Sequence, residues 1–403
     1  MGRVPVRVES GRDEMPASVV LSEQALRLHR SCLVIDGHND LAWRLYKQAD
    51  SGDRPVDLAR PQPGLHTDIP RLIAGGVGAQ FWAAYVPPTP PHGVSPAACA
   101  LGQIDLIHGL ALRYPETFAI AHGAEEIEHI RAQGKIASLI GVEGGRSIEN
   151  SLGVLRSFSA LGALYLTLTH GETTDWCDSA TDRPRHGGLT LFGQEVVREM
   201  NRLGMLADIS HVSVEAAEAV LRVSRAPVIA SHSSAAAVAA HPRNLPDALL
   251  KRIADNGGLV MVNFFSGYIE PGAARIMDQQ SDVSRTLRAA HPNEEEYQRA
   301  YQHWKDEHPI PRGTVHKVVD HIDHIVRVAG VDHVGVGADF DGVSTLPEQL
   351  DDVSSYPYLT QGLLDRGYDE PRIRKILGQN LLRVLRRAEQ EAGRGNGSAG
   401  IQA

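Results

Sequence analysis

The sequence predicts an α/β fold, a (β/α)8 barrel of the TIM type built as a single domain. Eight short apolar runs recur along the chain, helical patterns separate them, and each run is continuous in Val, Ile and Leu rather than alternating. Continuous runs mark parallel strands covered on both faces. Strands that alternate with helices build a parallel sheet, and eight such units close into a barrel. The rival is an open doubly wound sheet. Its dinucleotide fingerprint is missing, because Gly75-Gly76-Val77-Gly78 precedes a run instead of following the first one and reads as a turn.

The expected strands are Leu33–Gly37, Ala79–Val86, Ala137–Val142, Ala163–Thr169, Met205–Ile209, Pro227–Ser231, Gly258–Phe264 and His333–Ala338. Between them, Thr190–Leu203 places Leu191, Val196, Val197, Met200 and Leu203 at near-helical spacing. Ser213–Val223 is Ala-rich and opens on a Ser suited to cap it. Pro246–Ala254 starts with Pro-Asp and is stopped by Asn256-Gly257-Gly258. Val315–Val328 leads into the last strand, and Pro371–Ala388 closes the fold. Glu270–Gly313, after strand seven, breaks the rhythm. It is highly charged and is expected to add one helix, as a surface insertion or as a lid or subunit contact. The domain reading is an N-terminal extension over 1–24, the barrel over 25–390 with its insert at about 270–313, and a flexible, Gly-rich tail over 391–403.

The 403 residues are 42% apolar and 22% charged, enough to bury a large core. A formal net charge of −9 argues against nucleic acid as a partner, which would need a basic face. Cys32, Cys99 and Cys177 form no CxxC pair and are odd in number, so a reducing, cytoplasmic setting is expected. No apolar run approaches the length of a membrane span or a signal segment, so no membrane partner is expected. Histidine is abundant, 19 against seven Phe, which directs attention to metal chemistry.

The strand ends carry that chemistry. His38-Asn39-Asp40, Glu143, His170, His211, His232 and Asp339 each finish a predicted strand. In a barrel these ends meet at the face where active sites are built. In His38-x-Asp40 the two side chains share one side of an extended chain and can grip one cation. Imidazole and carboxylate suit Zn²⁺, and also Mn²⁺, Co²⁺ or Ni²⁺; without Cys the set does not read as a closed structural zinc site. Charge favours two ions. They bring four positive charges, Asp40 and Glu143 return two and a hydroxide one, leaving about one to polarise a carbonyl. His316, His321 and His324 read as a polar helix face, and Cys177 as a bystander.

The stretches VIDGHNDLAWRL (34–45), GAQFWAAYVP (78–87), GVEGG (141–145), YLTLTH (165–170), DISHVS (208–213), PVIASHSSA (227–235), RNLPD (243–247), MVNFFSGYI (261–269) and VGVGADFDGV (334–343) resemble the membrane (renal) dipeptidase family, in order, from about residue 25 to 390. The resemblance implies a metal-dependent amidohydrolase barrel with two Zn²⁺ per protomer, His38 and Asp40 on one, His211 and His232 on the other, and Glu143 bridging. It implies substrate contacts from His170, Arg243, Tyr268 and Trp43, with Arg243 on the C-terminal carboxylate, His170 helping to polarise the scissile carbonyl and Asp339 moving the proton. The implied reaction is hydrolysis of dipeptides, including those with a C-terminal D-residue, by a metal-bridging hydroxide in a homodimer. Lactone, cyclic-amide or deaminase chemistry on the same metals is the alternative. Glu172 stands where animal members carry a bridging cysteine, so a soluble, bacterial-type member is expected.

Overall fold

The computed structural model describes residues 18–50, 56–291 and 293–397. Nine parallel strands form one sheet: β1 (Val34–Asn39), β2 (Val77–Tyr85), β3 (Phe118–Ile120), β4 (Ile136–Glu143), β5 (Ala163–Thr167), β6 (Leu206–Asp208), β7 (Ile229–Ala230), β8 (Leu259–Val262) and β9 (Val334–Val336). Their order is β2-β1-β9-β8-β7-β6-β5-β4-β3, and β2 also pairs with β4. That pairing closes eight strands into a barrel with helices around it.

The ninth strand, β3, is absent from the sequence reading. Three residues long, it pairs with β4 at Ile136–Ser138, while β5 takes residues 140–143. Phe118, Ala119 and Ile120 are too few to register as a run.

Every residue of β1 and β4 is buried, as the continuous apolar runs require. Alternation sorts their side chains. Ile35, Phe81, Leu139, Tyr165, Leu206, Ile229 and Met261 share one buried cluster with Leu381, Leu382 and Leu385 of the last helix. Val34, Trp82, Ile140, Leu166, Val260 and Val336 join the cluster of the surrounding helices. Asp36 laces the seam between the first and last strands. Its Oδ1 accepts from Ala338 N at 2.8 Å, and the Tyr356 hydroxyl donates to its Oδ2.

The helices begin where their caps dictate. Thr190 accepts from Gly193 N to open Leu191–Leu203, which Gly204 ends at φ 75°. Ser213 accepts from Ala216 N to open Val214–Val223. The insert holds two helices, Pro271–Ala290 and Glu294–Glu307, not one. They clasp through Ser284 and Tyr297, whose hydroxyls are 2.8 Å apart, and through Arg288 over the Tyr297 ring. The closing segment bends through a π turn at Lys375–Gln379, and its last helix runs from Asn380 to Gly397. It therefore continues past residue 390, where a flexible tail was expected; residues 398–403 and the first 17 lie outside the described residues. Among the described residues, no helix is long and apolar enough to cross a membrane.

Candidate metal centre and active site

The six predicted strand-end groups converge at one face of the barrel. His38 lies within β1, with Asp40 one residue past its end, and Glu143 is the last residue of β4. His170, His211, His232 and Asp339 follow β5, β6, β7 and β9 within three residues. His211 and Asp339 adopt φ of 69° and 66°, a region non-glycine residues seldom occupy and which clusters at functional sites.

Glu143 is the centre, and its two oxygens face different partners. Oε2 is 3.5 Å from His38 Nε2. Oε1 is 3.1 Å from His211 Nε2, 3.4 Å from His232 Nε2 and 3.9 Å from His170 Nε2. His38 Nε2 is also 3.3 Å from Asp40 Oδ2. Three groups of possible ligand atoms result: His38, Glu143 and His232; Glu143, His170 and His211; and His38, Asp40 and Asp339.

These residues fit divalent cations on two observations. First, His38 Nε2 is buried without a hydrogen bond although two carboxylates face it. Second, the Nε2 atoms of His211 and His232 stand 2.8 Å apart. Two neutral rings presenting lone pairs at that distance repel unless a proton or a cation lies between them. Burial, with repulsion from Arg243 among the nearby cations, holds both rings well below the usual imidazole range. Burial alone would raise the Glu143 carboxyl, but the charge of the nearby His38 ring and the contact from His211 outweigh it and hold the group well below its ordinary range. Neutral imidazoles beside an ionised carboxylate are the state that metal binding needs. Burial opposes a charge on His38, yet Tyr165, Glu143 and Asp40 together raise its pKa; the field that favours a proton there favours a metal ion too.

A second layer orients the rings. Ser231 Oγ donates to Asp208 Oδ2 at 2.6 Å and accepts from His232 Nδ1 at 2.7 Å, leaving Nε2 aimed at Glu143. Asp208 also receives Thr167 Oγ1, Ser210 N and Ser231 N, tying β5, β6 and the end of β7 together. Tyr165 OH meets His38 Nδ1 at 3.0 Å. Asn263 Nδ2 donates to Asp339 Oδ2 at 2.8 Å. Burial, with Asp40 and Glu143 outweighing His38, pushes Asp339 up to about 8.

Above this floor opens a cavity of about 500 Å³, lined by Trp43, Arg44, Lys47, Tyr85, His170, Arg243, Tyr268 and Asp341 among others. Arg243 is 3% exposed, and among the described residues no carboxylate pairs with it. It donates to His232 O at 3.2 Å and Ser233 Oγ at 3.4 Å, and lies 5.4 Å from the Tyr268 ring centroid. Trp43 is braced by Tyr46 and Tyr85. Beside the mouth, Thr181 also borders a groove of about 870 Å³ against Met277, Gln280 and Tyr301 of the insert. Glu172, at the animal cysteine position, pairs instead with Arg146 at 2.6 Å.

The sequence reading missed Ser231, Asp208, Tyr165, Asn263, Arg44 and Lys47. A signal existed for the first two, since polar residues inside apolar runs beside His232 and His211 need buried partners. The bland histidines stay apart from the centre: His321 bridges Ala235 N and Ile269 O, and His324 pairs with Asp247. Cys177 is buried, and burial pushes its thiol well up, away from reactivity.

Residues 22–398 match the sequence profile of the membrane dipeptidases, peptidase family M19. The chain belongs to this family. Dipeptidase verJ of Clonostachys rogersoniana is 38% identical over 382 residues, 91% of this chain and 87% of that protein. Dipeptidase 3 of Mus musculus is 40% identical over 375 residues, 92% of this chain and 67% of that protein. Among solved structures, the probable dipeptidase PvdM of Pseudomonas aeruginosa superposes with a TM-score of 0.80 at 25% identity, over 91% of this chain and 98% of that one. A metallo peptidase of Rhodobacter sphaeroides, liganded with a phosphinate mimic of L-Ala-D-Ala, gives 0.72 at 26% identity, over 89% and 99%. This M19 chain is an enzyme, a metal-dependent peptidase of the amidohydrolase type.

Proposed function

We propose that this chain is a zinc dipeptidase with two ions per protomer, able to take a D-residue at the C-terminal position. The division of Glu143 between His38 on one oxygen and His211 and His232 on the other carries the reading. His38 and Asp40 would hold one ion, His211 and His232 the second, with Glu143 shared. Bound there, the ions would polarise the scissile carbonyl and make water acidic enough to attack near neutral pH.

The remaining work falls to side chains. Asp339, held by Asn263, takes the proton from the attacking water and delivers it to the leaving amine. An amine leaves poorly without such an acid. His170 lies at the cavity wall beside Glu143 and can donate to the oxygen that gains charge. Arg243, a buried cation without a carboxylate partner among the described residues, offers a bidentate fork to the C-terminal carboxylate. Tyr268 packs beside it and Trp43 walls the other side. Tolerance of a D-residue draws on the R. sphaeroides relative, crystallised with a mimic of L-Ala-D-Ala. A cytoplasmic setting, supported by three buried free thiols, and the homodimer implied by the family resemblance complete the proposal.

The test is chelator-stripped protein reloaded with Zn²⁺ and assayed on L,L- and L,D-dipeptides beside lactones and cyclic amides. Free amino acids released in step with two equivalents of zinc are expected. Turnover of the lactones or cyclic amides alone would favour the alternative.

A further inference from the structure

We propose that Arg44 and Lys47 form a specificity wall that selects dipeptides whose N-terminal residue carries an acidic side chain. The inference rests on the dipeptidase reading above and names the substrate class for that site.

The helix Leu41–Asp50 begins directly after Asp40, at the mouth of the barrel. Residues 40, 43, 44 and 47 fall on one helical face, and all four line the cavity. The Lys47 ammonium lies 5.2 Å from the Trp43 ring centroid. That ring is fixed by Tyr46 on one side and the edge of Tyr85 on the other. Arg44 donates to Gly64 O at 2.9 Å.

Among the residues whose side chains are described, a set that leaves out Asp50, neither cation has a carboxylate within ion-pair distance. Arg44 is the cation whose field reaches Lys47, and Asp40 the anion. His66 and Asp341 are the titratable groups that feel Arg44. Asp40 faces His38 Nε2, and Asp341 turns Oδ1 to His66 N at 2.8 Å, with its Oδ2 buried and without a hydrogen bond among the described residues. Like charges three residues apart on a helix repel. Burial and Arg44 together lower the pKa of Lys47. Two repelling cations at a cavity wall, over an aromatic face, suit a ligand with methylenes and a terminal carboxylate.

The strand order says which end of the dipeptide meets them. Around the closed barrel, β2 stands opposite β7. Trp43 packs on Tyr85, the last residue of β2, whereas Arg243 lies beyond β7. With the C-terminal carboxylate on Arg243 and the scissile bond over Glu143, the N-terminal residue points to the Trp43–Arg44–Lys47 side.

The experiment compares kcat/KM of the zinc-loaded enzyme for L-Glu-L-Ala, L-Asp-L-Ala, L-Gln-L-Ala and L-Lys-L-Ala. The acidic substrates are expected to lead L-Gln-L-Ala by about ten-fold at low salt, with the lead shrinking as salt screens the charges. Lys47→Glu, and Arg44→Glu/Lys47→Glu where it folds, should shift the ranking toward L-Lys-L-Ala. Because each ratio is taken within one protein, partial misfolding cannot produce the reversal. Equal turnover of L-Glu-L-Ala and L-Gln-L-Ala, or a ranking unmoved by Lys47→Glu, overturns the wall while leaving the dipeptidase standing. Failure to cleave any of the four overturns both.

Discussion

Gly342 stands so close to Asp40 that a Cβ built on it would lie 2.2 Å from Asp40 Oδ2 and 2.5 Å from Asp339 Oδ1. The missing side chain is what lets a proposed metal ligand and the proposed proton carrier share one corner of the cavity.

Gly342→Ala is therefore expected to push both carboxylates out of place while the fold survives. A displacement of about 1 Å at a reacting centre costs on the order of 10²-fold in rate. Metal content and kcat, measured beside an unchanged circular dichroism spectrum, check it. A variant with normal zinc and normal kcat would show that the corner adapts freely.

Asp339→Asn keeps the size of the side chain and its neighbour Asn263 but removes the titrating group. Elemental analysis should still find both metals, while kcat falls by about 10²–10⁴-fold, the usual worth of positioned proton transfer. Near-wild-type turnover in a metal-replete sample would contradict the assignment.

Arg243→Ala should raise KM for dipeptides by about 10–100-fold, the equivalent of one charged hydrogen-bonded pair. Amide substrates without a free C-terminal carboxylate should lose far less. Parallel losses on the two substrate types would remove Arg243 from carboxylate recognition.

Ser231→Ala breaks the relay from Asp208 to His232 Nδ1. The ring then loses the contact that fixes its tautomer, and zinc affinity, read by competition with a chromogenic chelator, should fall about 10–100-fold. Ser231→Thr, which restores the hydroxyl, should recover part of the affinity.

Tyr356→Phe deprives the buried Asp36 of one donor. The expected cost is about 1–3 kcal/mol, visible as a lower Tm, with the metal ligands themselves untouched. An unaltered Tm would mean that Gln80 or water replaces the hydroxyl.

Much of this arrangement was legible in the chain because it lies where two simple periodicities intersect. Continuous apolar runs located the eight barrel strands, and the first ionisable group after the run located His170, His211, His232 and Asp339. Short elements escaped. β3 has three residues and owes its place to the edge of β4 that β5 leaves free. The Pro271–Ala290 and Glu294–Glu307 pair carries charge on most of its turns, so its hidden contacts, such as Tyr297 at 4% exposure, left little periodic trace. Arg243 sits in a connection, and Tyr268 and Trp43 in helices that the sequence reading did not delimit, so all three came from family resemblance alone. Arg44 and Lys47 were passed over, since nothing local reveals that their side of the helix faces a cavity. Ser231 and Asp208 are strand-end polar residues whose meaning depends on a neighbouring strand.

The lacing of Asp36 to Ala338 spans 302 positions in the chain, and it brings His38 beside Asp339. A ribosome thus makes one side of this corner early and the other only after β9 has emerged. A nascent fragment ending before residue 334 could gather Glu143, His211 and His232, but not the pocket that His38 and Asp40 share with Asp339. The five proposed ligands all precede that point in the chain, so the last piece the site acquires is Asp339, the group proposed to move the proton.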